Sequence, residues 1–181
     1  MVGNSFTSIH HLPERLAAIL KADVFTNTRG GATLAERLNP ETKKGHEFFE
    51  VWNHNHFDYL ILQDQSLRPY LYPDSFKDNV KSFNALCLKS NTKLVLYETW
   101  SYQKDLDYFS LAGFSYEDLY EGLKSSYESA AKECLALIAQ VGEDFHNNYD
   151  QSFYGEDGKH PSVKGTERII KIISDTIKTN N

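Results

Sequence analysis

The chain has 181 residues, with 19 lysines and arginines against 25 aspartates and glutamates and a formal net charge of -6. That length suits one domain, residues 1–181, able to bury a core of its own, and an acidic balance with scattered basic residues excludes a nucleic-acid surface. The longest wholly apolar runs are about five residues, "LAAIL" at 16–20 among them, which excludes a membrane-spanning helix.

The opening stretch "MVGNSFT" sets Gly3-Asn4-Ser5-Phe6-Thr7 ahead of an amphipathic run over 12–21. Ser5 reads in two ways there. A serine before a helix accepts hydrogen bonds from its first turn; a serine in the same place, with backbone donors beside it, also suits a nucleophile whose oxyanion forms there. "ADVFTN" at 22–27 is strand-like and is followed by Gly30 and Gly31; a helical run covers 45–53. "FDYLILQ" at 57–63 is a second strand-like run, with polar residues from Gln63 to Ser66 behind it. A helical run over 74–89 contains Cys87, and "TKLVLYET" at 92–99 precedes Trp100.

Beyond Trp100, "SYQKDLDYFSLAGFS" at 101–115 is long and aromatic for a strand-to-helix connection, as a substrate-covering loop or a packed Ω-loop would be. A helix over 115–135 contains Cys134, a strand over 136–141 follows, and a last helix over 163–179 closes the chain. Cys87 and Cys134 each read as small core residues rather than a disulfide framework. His10, His11, His54 and His56 lack the acidic or cysteine partners of a zinc site, so no metal is expected.

Strands alternating with helices imply a parallel sheet covered on both faces, with ligands at the carboxyl ends of the strands. The polar residues just behind predicted strands are therefore the candidates. In the final loop "YGEDGKHPSVKG", Asp157 and His160 stand three apart on a turn stiffened by Pro161. A carboxylate that fixes an imidazole tautomer while the other ring nitrogen faces a hydroxyl is the pattern of nucleophilic catalysis. Asp-Gly turn chemistry with a surface histidine accounts for the loop equally.

Four blocks in order, "GNSFT", "RGGATL", "LILQDQS" and "DGKHPS", carry a resemblance to the SGNH hydrolases, the GDSL-like lipases and esterases, and within them to a bacterial subgroup of unassigned function. The resemblance implies a flavodoxin-like three-layer α/β/α sandwich with about five parallel strands. It also implies Ser5 as nucleophile, His160 as base then acid, Asp157 as the residue orienting it, and the amides of Ser5 and Gly31 as oxyanion donors. Where the family has Gly-x-Asn-Asp, this chain has "QDQS"; Gln65 falls at the asparagine position, and Gln63 also follows the strand, so either carboxamide could supply the remaining donor. Trp100 is expected either to wall the substrate pocket or to lie in the core.

The function these features imply is hydrolysis of an ester without metal or organic cofactor, the substrate a small acyl group such as acetyl on a carbohydrate or similar alcohol. The rival is a non-catalytic carbohydrate-binding or interaction domain on the same fold. Neither nucleic acid nor membrane is expected as a partner, and the location is cytoplasmic as the chain stands, or secreted if an upstream segment is removed. Only Met1 and Val2 precede Gly3, fewer residues than a central strand normally uses, so a truncated first strand and an apolar continuation upstream are expected.

Overall fold

The computed structural model describes residues 1–180. In chain order the elements are β1 (Val2–Gly3), α1 (Ser5–Ser8), α2 (Leu12–Leu20), β2 (Asn27–Thr28), α3 (Leu34–Leu38), α4 (Lys43–His54), β3 (Tyr59–Leu62), α5 (Arg68–Leu71), α6 (Pro73–Ser90), β4 (Lys93–Tyr97), α7 (Tyr108–Ala112), α8 (Tyr116–Cys134), β5 (Leu137–Ala139), α9 (Val141–Asn147) and α10 (Val163–Thr179). The strands form one parallel sheet in the order β2-β1-β3-β4-β5, the flavodoxin-like arrangement.

The strands are apolar throughout because both faces are covered. Alternate residues enter two separate cores. Leu60, Leu62, Leu94 and Leu96 meet Phe48 of α4 and Phe76, Val80 and Phe83 of α6. Ile61, Val95 and Tyr97 point the other way, onto Leu12 and Leu16 of α2 and Ile169, Ile170 and Ile173 of α10. The helix starts follow side-chain capping: Thr42 accepts from Gly45 N, Ser162 from Gly165 N, and Ser115 forms a reciprocal box with Asp118.

One expected strand is much shorter than its sequence suggests. Residues 22–27 read as a strand, yet β2 holds only Asn27 and Thr28. A strand needs a neighbour, and β1 pairs Val2 with Asn27 and Gly3 with Thr28, so little of the chain before Asn27 has a partner. The α-amino group of Met1 donates to Phe25 O at 2.5 Å and Met1 O accepts from Asn27 N at 2.9 Å. Met1 and Val2 line a cavity of about 390 Å³ together with Phe25, Phe48, Trp52, Phe57 and Leu60.

Glu98, at the end of β4, is 2% exposed and turns toward α9, where its Oε2 accepts from Glu143 N at 3.1 Å. Burial raises its pKa to about 7 despite that bond. The folded protein therefore holds this proton more tightly than the unfolded chain does. The resulting stabilisation is complete below the ordinary value of 4.5 and is lost as pH rises to about 7.

Glu98→Gln keeps an acceptor for Glu143 N and removes the charge. Between pH 5 and 8 the urea midpoint of the wild type should fall relative to this variant, by a stability difference on the order of 3 kcal/mol. Parallel pH profiles would contradict the buried-carboxyl account.

Candidate active site

At the end of β1, Asn4 caps α1, its side chain accepting from Phe6 N at 2.9 Å. The capping role considered for Ser5 thus belongs to its neighbour. Ser5 is the first residue of α1, where an amide has no intrahelical acceptor, and its hydroxyl turns to the final loop: Ser5 Oγ lies 2.7 Å from His160 Nε2. The turn requires Gly3, because a Cβ there would sit 2.1 Å from Thr7 Oγ1 and 2.7 Å from Gln63 Oε1.

The loop that presents His160 is held from several sides. Gly155 N donates to His160 O at 2.8 Å, and Gly158, at φ +64°, makes the turn between them. Asp157 Oδ1 accepts from the amides of Lys159 and His160 at 3.0 and 2.9 Å, while Oδ2 lies 2.5 Å from His160 Nδ1. Burial by itself would raise the Asp157 carboxyl, but these hydrogen bonds outweigh it and hold its pKa below the ordinary value. One carboxylate thus fixes both the backbone and the ring of His160. Hydroxyl, imidazole and carboxylate stand in series, with the Asp157 and His160 side chains 47% and 36% exposed, open to a ligand.

Gly31 and Gln65 follow β2 and β3, the two strands flanking β1, so all three loops open at one edge of the sheet. Gly31 takes φ +66° and is exposed. Gln65 is half-buried; its Oε1 accepts from Leu67 N at 3.1 Å and its Nε2 donates to Ser66 Oγ at 3.3 Å, which leaves the second Nε2 hydrogen for another acceptor. Between the two glutamines, Asp64 ties the loops together: its Oδ1 accepts from Leu34 N at 2.9 Å and Gln65 N at 2.7 Å.

Gln63 departs from the expectation that it could serve as an oxyanion donor. It is 1% exposed. Its Oε1 accepts from Asn4 N and Thr7 Oγ1, and its Nε2 donates to the backbone carbonyl of Asp64. The side chain is consumed within the protein because Gln63, the first residue beyond β3, is buried against the turn that follows β1.

Trp100 likewise does not wall a pocket. It is fully buried, stacks on Phe6 with centroids 4.5 Å apart, and donates from Nε1 to Lys159 O at 3.1 Å. Phe6 in turn meets the His160 ring edge-on at 5.0 Å. Trp100 therefore supports both the residue after Ser5 and the residue before His160 from below. The 101–115 segment packs against the same loop: Gln103 N donates to Gly158 O, and Leu106 fills the space beside Gly158. Tyr102 bonds Ser66 Oγ at 2.8 Å, and the Lys159 ammonium lies over the Tyr102 and Tyr108 rings at 5.4 and 4.5 Å.

Of the other histidines, His10 Nε2 pairs with Pro161 O and His54 Nδ1 with Glu50 O. Among the described residues no three His, Cys, Asp or Glu side chains converge on a metal position. Cys87 and Cys134 are buried and unbonded.

No family model matches the sequence, and no curated protein matches it. Solved structures do. The chain is similar to a protein from Slackia heliotrinireducens provisionally classed as an SGNH hydrolase, at 30% identity and a TM-score of 0.94, over 98% of this chain and 96% of that one. An acetylxylan esterase from Geobacillus stearothermophilus shares the fold at 13% identity and a TM-score of 0.68, over 97% and 91% of the two chains. A lipase/acylhydrolase from Enterococcus faecalis does so at 15% identity and a TM-score of 0.67, over 99% and 95%.

Proposed function

The chain belongs to the SGNH hydrolases, enzymes of ester bonds, and from that premise we propose that it is a serine esterase in which Ser5, His160 and Asp157 act as a triad. The observation that carries this reading is the unbroken series from Ser5 Oγ to His160 Nε2 and from His160 Nδ1 to Asp157 Oδ2, at 2.7 and 2.5 Å.

In the proposed reaction His160 Nε2 takes the Ser5 proton as Oγ attacks the ester carbonyl carbon. The resulting imidazolium is stabilised by Asp157 and returns the proton to the departing alcohol. Water then attacks the acyl-Ser5 ester with the same histidine as base, releasing the acid and restoring Ser5. The oxyanion is received by the amides of Ser5 and Gly31 and by the free Nε2 hydrogen of Gln65. A glutamine in place of asparagine supplies the same donor on a longer arm.

The substrate class is a small acyl group, acetyl foremost, on a carbohydrate or similar alcohol. Support comes from the glutamine-bearing third block and from the shared fold of an acetylxylan esterase.

Ser5→Ala should lower turnover of a short aryl acetate by on the order of 10³-fold or more while leaving Tm in place, and a serine-reactive phosphonate should label Ser5 alone, read by mass spectrometry. Wild-type turnover in the variant would remove Ser5 as the nucleophile. An unlabelled, inactive wild type would favour a binding domain. Gln65→Ala should lower kcat by roughly 10² to 10³ with KM little changed; a neutral variant would take that side chain out of the oxyanion hole.

A further inference from the structure

Gln63 stands where the third block of the family has a glycine, which has no side chain to offer. Pairing of Val2 with Leu62 brings Gln63 N to Val2 O at 2.9 Å. In a continued parallel ladder the next rung would run from Asn4 N to the backbone carbonyl of Gln63. Here Asn4 N donates instead to the side-chain oxygen of Gln63, at 3.0 Å. The chain can thus leave the sheet at Gly3 and turn into α1 without abandoning the rung. The same Oε1 accepts from Thr7 Oγ1 at 2.9 Å, so one atom holds residues on both sides of Ser5.

We propose that Gln63 is a positioning residue, its carboxamide oxygen standing in for a ladder carbonyl and fixing the turn that aims Ser5 at His160. The role rests on the reading of Ser5 as nucleophile. β1 touches β3 through a single paired residue, so beyond that pair it is the bond from Asn4 N to Gln63 Oε1 that ties the turn to β3. Exposed to no ligand, Gln63 acts through Asn4 and Thr7 and contributes to reactivity rather than to substrate binding. The carboxamide is also oriented, because its Nε2 is occupied by Asp64 O.

The test compares Gln63→Met, which keeps the length and removes the acceptor, with Gln63→Glu, which keeps an acceptor oxygen. In the Met variant kcat on a short aryl acetate should fall roughly 10- to 100-fold with KM unchanged, the scale of a small misplacement of a reacting group. Phosphonate labelling of Ser5 should slow by the same factor. In the Glu variant the ratio of kcat to wild type should rise as pH falls from 8 to 6, because the protonated carboxyl reproduces one acceptor and the donor to Asp64 O, whereas the Met ratio should stay flat. Thr7→Val gives a milder loss that Thr7→Ser restores, which keeps the question open to measurement should the Met variant fold poorly.

Hydrogen exchange at the Asn4 amide supplies a readout independent of turnover: it should be about tenfold faster in the Met variant. If the wild type reacts and the Met variant matches it in kcat and labelling, the positioning role is overturned and the esterase reading stands. If the wild type is inert to ester and phosphonate alike, both fall, and unchanged Asn4 exchange overturns the clamp by itself.

Discussion

The site is built around a central strand that contributes two residues. A parallel strand holds its neighbours through a run of evenly spaced backbone bonds, and β1 has only Val2 and Gly3 with which to make them. Side chains reinforce them. Arg37, 1% exposed, sends Nη2 to Gly3 O at 3.2 Å, Nε to Asn27 Oδ1 at 2.9 Å and Nη1 to Glu36 Oε2 at 2.9 Å. It thereby joins the last residue of β1 to β2. A buried guanidinium is tolerated only when its donors are satisfied and its charge is met, and here the groups that satisfy it are the ones that need anchoring.

On the other side of β1, three consecutive residues beyond β3 divide the same work. Gln63 reaches the loop after β1, Asp64 accepts from Leu34 N at the start of α3, and Gln65 braces its own loop through Ser66 and Leu67. Successive residues leaving a strand point in different directions, which is how so short a segment can serve three destinations. Asp64 bears the cost of this arrangement. Burial raises its pKa against the pull of its amide donors, and its Oδ2 has no hydrogen-bond partner among the described residues. Functional loops are a common place for such an unsatisfied group to be retained.

Much of this was legible in the sequence, for reasons that differ by element. The apolar runs over 57–63 and 92–99 announce β3 and β4 because burial on both faces leaves a period-free hydrophobic signature. Asp157 and His160 are legible because one short turn contains both partners of a hydrogen bond. The shortness of β2 is not, since strand propensity in 22–27 is intact and what it lacks is a neighbour. For Gln63 and Trp100 the sequence leaves two readings open for a related reason: both lie behind strands, where ligands bind, but inward or outward direction is set by packing rather than by position along the chain. Arg37 gave no signal at all, an ordinary helical arginine whose burial is decided by β1 and β2 far from it in sequence.

The aromatic stack beneath the site has an optical consequence. The chain has two tryptophans, and the sheet separates them: Trp100 lies in the core with Phe6, while Trp52 packs against the opposite core, stacked on Phe48 and Phe57 and lining the same cavity as Met1. Indole emission shifts with local polarity and is quenched by nearby charge, so each face of the molecule has its own reporter. With Trp52 replaced by phenylalanine, fluorescence would follow the Ser5 turn and the histidine loop alone, through Phe6 and the Lys159 carbonyl that Trp100 touches. With Trp100 replaced instead, it would follow the filling of the cavity. Motion at the two ends of β1 can therefore be timed separately in solution, without attaching a dye.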